Sequence, residues 1–210
     1  MPRPVRPDFV YLDLGNVIVS FDRDRGLRQM VEVCGAEPTL VRAAGLNAEM
    51  HLRLERGEIV WPEYHEWFSR QTGTSSDPDA LARAASDIFT LNIAMLPVIA
   101  GLERAGCPLG ILSNTCGPHW EFLQACRYAI LPGNFSHVVL SHEVGAVKPE
   151  PAIFAAAAAK VGVAADRIFF TDDIPAHVES ARDAGWQAEV FTSAANLIDD
   201  LDRRGLKLGL

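Results

Sequence analysis

The sequence predicts an α/β protein, a doubly wound parallel sheet with a small all-helical cap. Three observations carry this reading. Five short apolar runs, rich in branched and aromatic residues, lack the alternation of a half-exposed strand. Helical patterns separate the later runs. A long stretch after the first run holds helical patterns and no convincing strand.

The first run is Phe9 to Leu12. Strands buried on both faces read this way, because helices cover a parallel sheet above and below. From about Phe21 to Thr90 five helical stretches follow one another: 27–33, 39–46, 48–56, 62–70 and 78–89. Gly35, Gly57 and Gly73 lie in the loops between them. This places a cap at residues 21–90 and assigns 1–20 with 91–210 to the core. A helix over Leu96 to Ala105 carries Pro97 near its start and Gly106 after its end. The second run is Leu109 to Leu112, followed by a helical pattern over Trp120 to Ile130. After the third run, Val138 to Leu140, comes an alanine-rich helix over Pro151 to Val161, with Gly162 as its C-cap. The fourth run, Ile168 to Phe170, leads to a helix over Val178 to Ala184 that stops at Gly185, and Ala188 to Phe191 is the fifth. Strands alternating with helices imply right-handed crossovers.

A chain of 210 residues supplies one substantial core, or a core with a small accessory domain. The formal net charge of −8 argues against non-specific nucleic-acid binding and against anionic membranes. An anionic substrate in a locally positive pocket remains compatible with it. No apolar run is long enough to span a membrane, and the first residues lack an apolar signal segment. The expectation is a cytoplasmic protein without nucleic-acid or membrane partners. Cys34, Cys107, Cys116 and Cys126 form no C-x-x-C pair and match no zinc spacing, so they read as free thiols.

In an open α/β sheet, ligands bind beyond the carboxyl ends of the strands. The first run ends at Asp13, the second in Ser113-Asn114-Thr115, and the fourth in Thr171-Asp172-Asp173; Lys148-Pro149 follows the third. Each group alone has a plain reading. Asp13 is then a solvated strand end, Lys148 a loop charge, and the other pairs turn or helix-cap residues. Four such regions at one mouth make a site. The Asp13 and Asp173 carboxylates suit Mg²⁺, which prefers oxygen ligands. That charge would offset the repulsion between a carboxylate nucleophile and a phosphoryl group. Lys148 adds a point charge, and Ser113 and Asn114 offer hydrogen bonds to phosphate oxygens. An aspartate can then form an aspartyl-phosphate that water hydrolyses.

These motifs, in this order from Phe9 to about Asp200, resemble the haloacid dehalogenase-like hydrolase superfamily, in its helical-cap branch. Asp13 matches the nucleophile motif, Ser113 and Asn114 the second motif, Lys148 the third, and Asp172 with Asp173 the acidic fourth. The segment Asp13 to Val19 is similar to small sugar-phosphate phosphatases of the alpha-D-glucose-1-phosphate type. The resemblance implies Asp13 as nucleophile and Mg²⁺ on Asp13, Asp173 and the Gly15 carbonyl, with Asp172 orienting those ligands. It also implies a first strand between the second and fourth, and a small phosphorylated metabolite as substrate. A monomer or weak homodimer is the expected assembly.

One position departs from the pattern. Family phosphatases carry a second aspartate where this chain has Gly15, and that group protonates the leaving oxygen. General acid–base help is worth roughly 10²–10⁴-fold. Two other readings stay open: metal-free carbon–halogen displacement by Asp13, and a phosphate-binding module that has lost its acid. The acidic pair argues against the first, and retention of Asp13, Lys148 and Asp173 together argues against the second. A glycine at 15 also permits a conformation other residues avoid. His177 reads as a helix-surface residue, with replacement of the acid as its alternative. His51, Arg53 and Arg56 read as a solvated helix face, with substrate contact as theirs.

Overall fold

In the computed structural model, which describes residues 5–125, 131 and 133–210, the first run is strand β1 (Phe9–Leu12), buried throughout. Successive side chains of a strand point to opposite faces. Val10 and Leu12 accordingly join one apolar layer with Leu102, Leu197 and Leu201, while Phe9 and Tyr11 join another with Phe154, Val178 and Trp186. Both faces are dry, which is why the run shows no alternation.

A short strand, β2 (Val19–Phe21), leaves the core. Five helices follow: α1 (Arg23–Cys34), α2 (Pro38–Gly45), α3 (Ala48–Glu55), α4 (Trp61–Thr72) and α5 (Pro78–Ser86). Local chemistry sets their ends. The side chains of Asp22, Asn47 and Asp77 accept from backbone N–H groups in the first turns of α1, α3 and α5. Gly35 and Gly73 take left-handed conformations at the ends of α1 and α4. The helices pack around a core of their own, which includes Leu27, Val41, Leu54, Phe68 and Leu81.

The chain returns through β3 (Phe89–Leu91), which pairs antiparallel with β2 in the register Val19 with Leu91 and Phe21 with Phe89. The sequence reading ran the last cap helix on to Phe89 and placed no strand here. Three residues are too few to show a period, and their partner lies far away in sequence, so pairing decides the conformation. The ribbon sits at the base of the cap, whose interior stays helical.

The core continues with α6 (Met95–Arg104), β4 (Leu109–Ser113), α7 (Gly117–Ala125), β5 (His137–Leu140), the short α8 (Ser141–Val144) and α9 (Pro151–Val161). It ends with β6 (Ile168–Asp172), α10 (Pro175–Asp183), β7 (Gln187–Val190) and α11 (Ala194–Arg203). The part of the expected seventh helix beyond residue 125 lies outside the described residues, as does Cys126. The sequence reading passed over α11, which Ser193 caps and which buries Leu197 and Leu201.

All five core strands are parallel, in the order β5-β4-β1-β6-β7. The first strand therefore lies between the second and fourth apolar runs, as expected. Leu12 is level with Ile111 on one side and Thr171 on the other, so Asp13, Ser113 and Asp172 emerge at one edge. Gly110 lets the strands sit this close, because a Cβ there would lie 2.5 Å from the Tyr11 ring. Among the described residues no helix is long and apolar enough to cross a membrane.

Candidate active site

Lys148 is the centre of the site. It is 3% exposed, and each ammonium proton has a partner: Asp13 Oδ1 at 2.7 Å, Asp172 Oδ2 at 2.5 Å and the Leu112 carbonyl at 2.9 Å. Burial alone would lower its pKa, but the charges of Asp13 and Asp172 reverse that and hold it above the usual lysine value. The two carboxylates share one cation and diverge. Burial pushes Asp13 up to about 6, against the downward pull of Lys148. Asp172 is also desolvated, but hydrogen bonds from His177 and Lys148 outweigh this and hold it below the ordinary range.

The backbone of Lys148 is fixed by Asn114. The Lys148 N–H donates to Asn114 Oδ1 at 2.7 Å, and Asn114 Nδ2 donates to the Lys148 carbonyl at 2.9 Å. The sequence reading gives Asn114 to the phosphate; it lines the cavity, and its side chain also clamps the loop that delivers the ammonium, with one of its two Nδ2 protons used there. A two-point amide clamp across 34 residues is set by loop geometry, which the motif does not reveal. Ser113 is 2% exposed, and its hydroxyl makes a long bond of 3.3 Å to the Asn114 carbonyl.

Asp13, Asp172 and Asp173 each offer an oxygen within 4.8 Å of the others. Asp172 is committed to Lys148, to His177 Nδ1 at 3.0 Å and to the Ile174 N–H at 2.8 Å. Lys148 takes Oδ1 of Asp13, a carboxylate to which the Leu14 N–H also bonds, and Asn16 Nδ2 takes Oδ2 of Asp173 at 2.9 Å; a carboxylate has about four lone-pair sites, so both groups keep acceptor capacity for a cation. The Gly15 carbonyl is left out of the local bridge, whose two bonds use the Leu14 and Val19 carbonyls. An all-oxygen set of this kind fits a hard divalent cation.

The left-handed conformation that a glycine permits is not used at Gly15. Its φ is not positive; the left-handed residue is Asn16, with φ 56°. A Cβ on Gly15 would lie 3.2 Å from the Phe21 ring, a tight contact for which the ring would have to give by a few tenths of an ångström.

The acidic cluster forms the floor of a cavity of about 330 Å³, which the cap roofs. Arg23, His51, Glu55, Trp61 and Tyr64 come from the cap, and Cys116, His119 and His177 from the core. His51 reaches the site, where it meets Tyr64 Oη at 3.5 Å. Arg53 and Arg56 do not line it: Arg53 faces Glu58, and Arg56 pairs with Glu150 across the cap–core boundary. His177 is buried, 8% exposed, and not on a helix surface as expected. It opens α10 in the turn that accepts the Asp172 carboxylate, and that contact draws it inward. Arg23, Glu55 and His119 were absent from the sequence reading; no motif marks them, and only the folding of the cap brings them here.

The family profile of the haloacid dehalogenase-like hydrolases matches residues 49–185. The chain belongs to this family. It is 31% identical to a phosphatase of Mycobacterium tuberculosis, with 91% of this chain and 94% of that protein covered. It is 28% identical to the glyceraldehyde 3-phosphate phosphatase of Methanopyrus kandleri, covering 78% of this chain and 72% of that protein. Its fold is similar to that of a family enzyme of Bacteroides thetaiotaomicron solved with magnesium and inorganic phosphate. There the TM-score is 0.79 at 21% identity, over 89% of this chain and 95% of that one. The family and these relatives make the chain a hydrolase.

Proposed function

We propose that this hydrolase is a Mg²⁺-dependent phosphatase of small phosphomonoesters, sugar phosphates among them, acting through an aspartyl-phosphate on Asp13. The observation that carries the reading is the Lys148 ammonium bridging Asp13 and Asp172 beside a third carboxylate, Asp173, on the floor of a capped cavity. A carbon–halogen displacement has no use for so many cation-binding oxygens. Phosphoryl transfer does, and two relatives carry phosphatase names. A cavity of about 330 Å³ lies at the small end of ligand pockets, which supports a small leaving group.

In this reading the Asp13 carboxylate attacks phosphorus, and Lys148 holds it in one rotamer and faces the phosphoryl oxygens. Asp13, Asp173 and the Gly15 carbonyl would hold Mg²⁺, with Asp172 behind them fixing Lys148 and His177. When bound, the ion neutralises phosphoryl charge and so lowers the cost of attack by an anion. Residues 21–90 act as the cap that excludes water, and the β2–β3 ribbon joins it to the core.

Phosphate release should be followed over sugar phosphates, glyceraldehyde 3-phosphate, nucleotides and amino-acid phosphates, with 2-chloropropionate scored for halide. The expected result is Mg²⁺-dependent release from small phosphomonoesters, lost at least about 10²-fold on chelation. Halide release without metal, or no phosphate release from any ester, overturns the reading. Asp173→Ala should weaken Mg²⁺ binding about 10-fold or more in calorimetric titration, because it removes a charged oxygen ligand. Unchanged affinity would take Asp173 out of the metal site.

A further inference from the structure

The phosphatase reading leaves a proton unaccounted for. Gly15 cannot supply it, and an unassisted leaving oxygen departs with its full negative charge. An in-line attack by Asp13 puts that oxygen on the side of phosphorus away from β1. That is the side the cap covers, so the donor should be sought on the cap-facing wall of the cavity.

Most titratable groups there are unsuited. Burial lowers the pKa of His51, and that of His119 to about 4, so both rings are neutral near pH 7. Burial raises Tyr64 above the usual phenol value and Cys116 to about 12, which makes them poor acids. Lys148 has all three protons committed, and His177, whose Nδ1 is held by Asp172, stands on α10 of the core beside the nucleophile and not on the cap that covers the leaving oxygen. A guanidinium such as that of Arg23 serves as a hydrogen-bond donor only.

Glu55 remains. It is the last residue of α3, and it lines the same cavity as Asp13. Its carboxyl makes no hydrogen bond or ion pair with any described residue, though it sits half-buried. Neighbouring Arg56 holds Glu150 of the core, and the turn after it rests so closely on α8 that a Cβ at Gly57 would lie 2.3 Å from the His142 carbonyl. The end of α3 is thus anchored against the core by the two residues that follow Glu55.

We propose that Glu55 is the general acid and base of this active site, in place of the side chain that Gly15 lacks. The role rests on the phosphatase reading. As the bond from Asp13 to phosphorus forms and the ester P–O bond breaks, the Glu55 carboxyl gives its proton to the leaving oxygen, which departs as an alcohol. The resulting carboxylate then takes a proton from the water that attacks phosphorus. The Asp13–phosphorus bond breaks, inorganic phosphate leaves, and both carboxyl groups return to their starting states. Burial raises the Glu55 pKa, against the charges of Arg23 on α1, Lys148 before α9 and His177 on α10. A raised pKa suits a carboxyl that must be protonated when the ester binds.

The test is a leaving-group series at fixed pH and Mg²⁺, from 4-nitrophenyl phosphate to simple alkyl phosphates. Wild-type turnover should depend weakly on leaving-group pKa. Glu55→Gln should lower kcat on alkyl phosphates by about 10²–10⁴-fold and on the aryl ester by less than about tenfold, steepening the dependence. A uniform loss across the series marks a structural role and overturns the proposal. So does a leaving-group-dependent loss that appears in His177→Asn and not in Glu55→Gln. A steep wild-type dependence overturns it too, and that measurement needs no folded variant. Absence of any wild-type phosphate release instead defeats the phosphatase reading, and the Glu55 role falls with it.

Discussion

Asp13→Asn is expected to lower phosphate release by at least about 10⁴-fold, the scale on which removal of a covalent nucleophile acts. The amide has nearly the shape of the carboxyl but cannot form the phosphoenzyme. The fold should persist. The new side-chain oxygen can still accept from Lys148, which also keeps Asp172 at 2.5 Å and the Leu112 carbonyl at 2.9 Å. The backbone N–H of residue 13 keeps its bond to the Thr171 carbonyl at 3.0 Å. The checks are phosphate release by a contaminant-free preparation and a thermal melt. Turnover retained in a folded variant would remove Asp13 from the role.

Lys148→Met should have the largest effect on stability. It leaves two carboxylates facing each other with no cation between them, one of them 0% exposed. Breaking a buried pair by deleting one partner costs about 3–5 kcal/mol. The cost should shrink as pH falls. Asp13, with a pKa of about 6 in the fold against about 3.9 unfolded, opposes folding when ionised. Its penalty is full above the folded value and gone below the unfolded one, and loss of Lys148 raises the folded value further. Denaturant unfolding of wild type and variant between pH 4.5 and 8, without Mg²⁺, checks both size and sign. Equal stability of the two proteins at pH 8 would mean that the ammonium holds nothing together. Turnover should also fall, by roughly 10²–10³-fold, as for loss of one charge-stabilising group.

The sheet was legible because its strands are buried on both faces, and such runs announce themselves in composition. The bounds of β1 and α9 agree with the sequence reading residue for residue. Asp13, Lys148 and the acidic pair were legible because strand ends point at one mouth. The cap wall was not. Glu55 and Arg23 sit on solvent-like helical sequence, and only the packing of α1 and α3 over the core turns them inward. His177 was read as a helix-surface residue and is buried against Asp172, and the clamp that Asn114 makes on Lys148 went unseen. A side chain's partner depends on loop paths that a motif does not encode, here the approach of Lys148 from one side and Asp172 from the other.

The β2–β3 ribbon has a consequence for how such a molecule can vary. The Asp22 N–H bonds to the Ile88 carbonyl at 3.0 Å, so the chain leaves and re-enters the core one strand spacing apart. To the sheet, everything between those residues is a single closed excursion. Closing a loop costs free energy only as the logarithm of its length, and here the ends are already tied. A longer, shorter or differently folded excursion can therefore be grafted onto the same two strands without disturbing Asp13, Lys148 or Asp173. The carboxylate floor can keep its structure while the roof changes, and a new roof brings its own selectivity and its own residue in place of Glu55, with the ribbon as the seam between them.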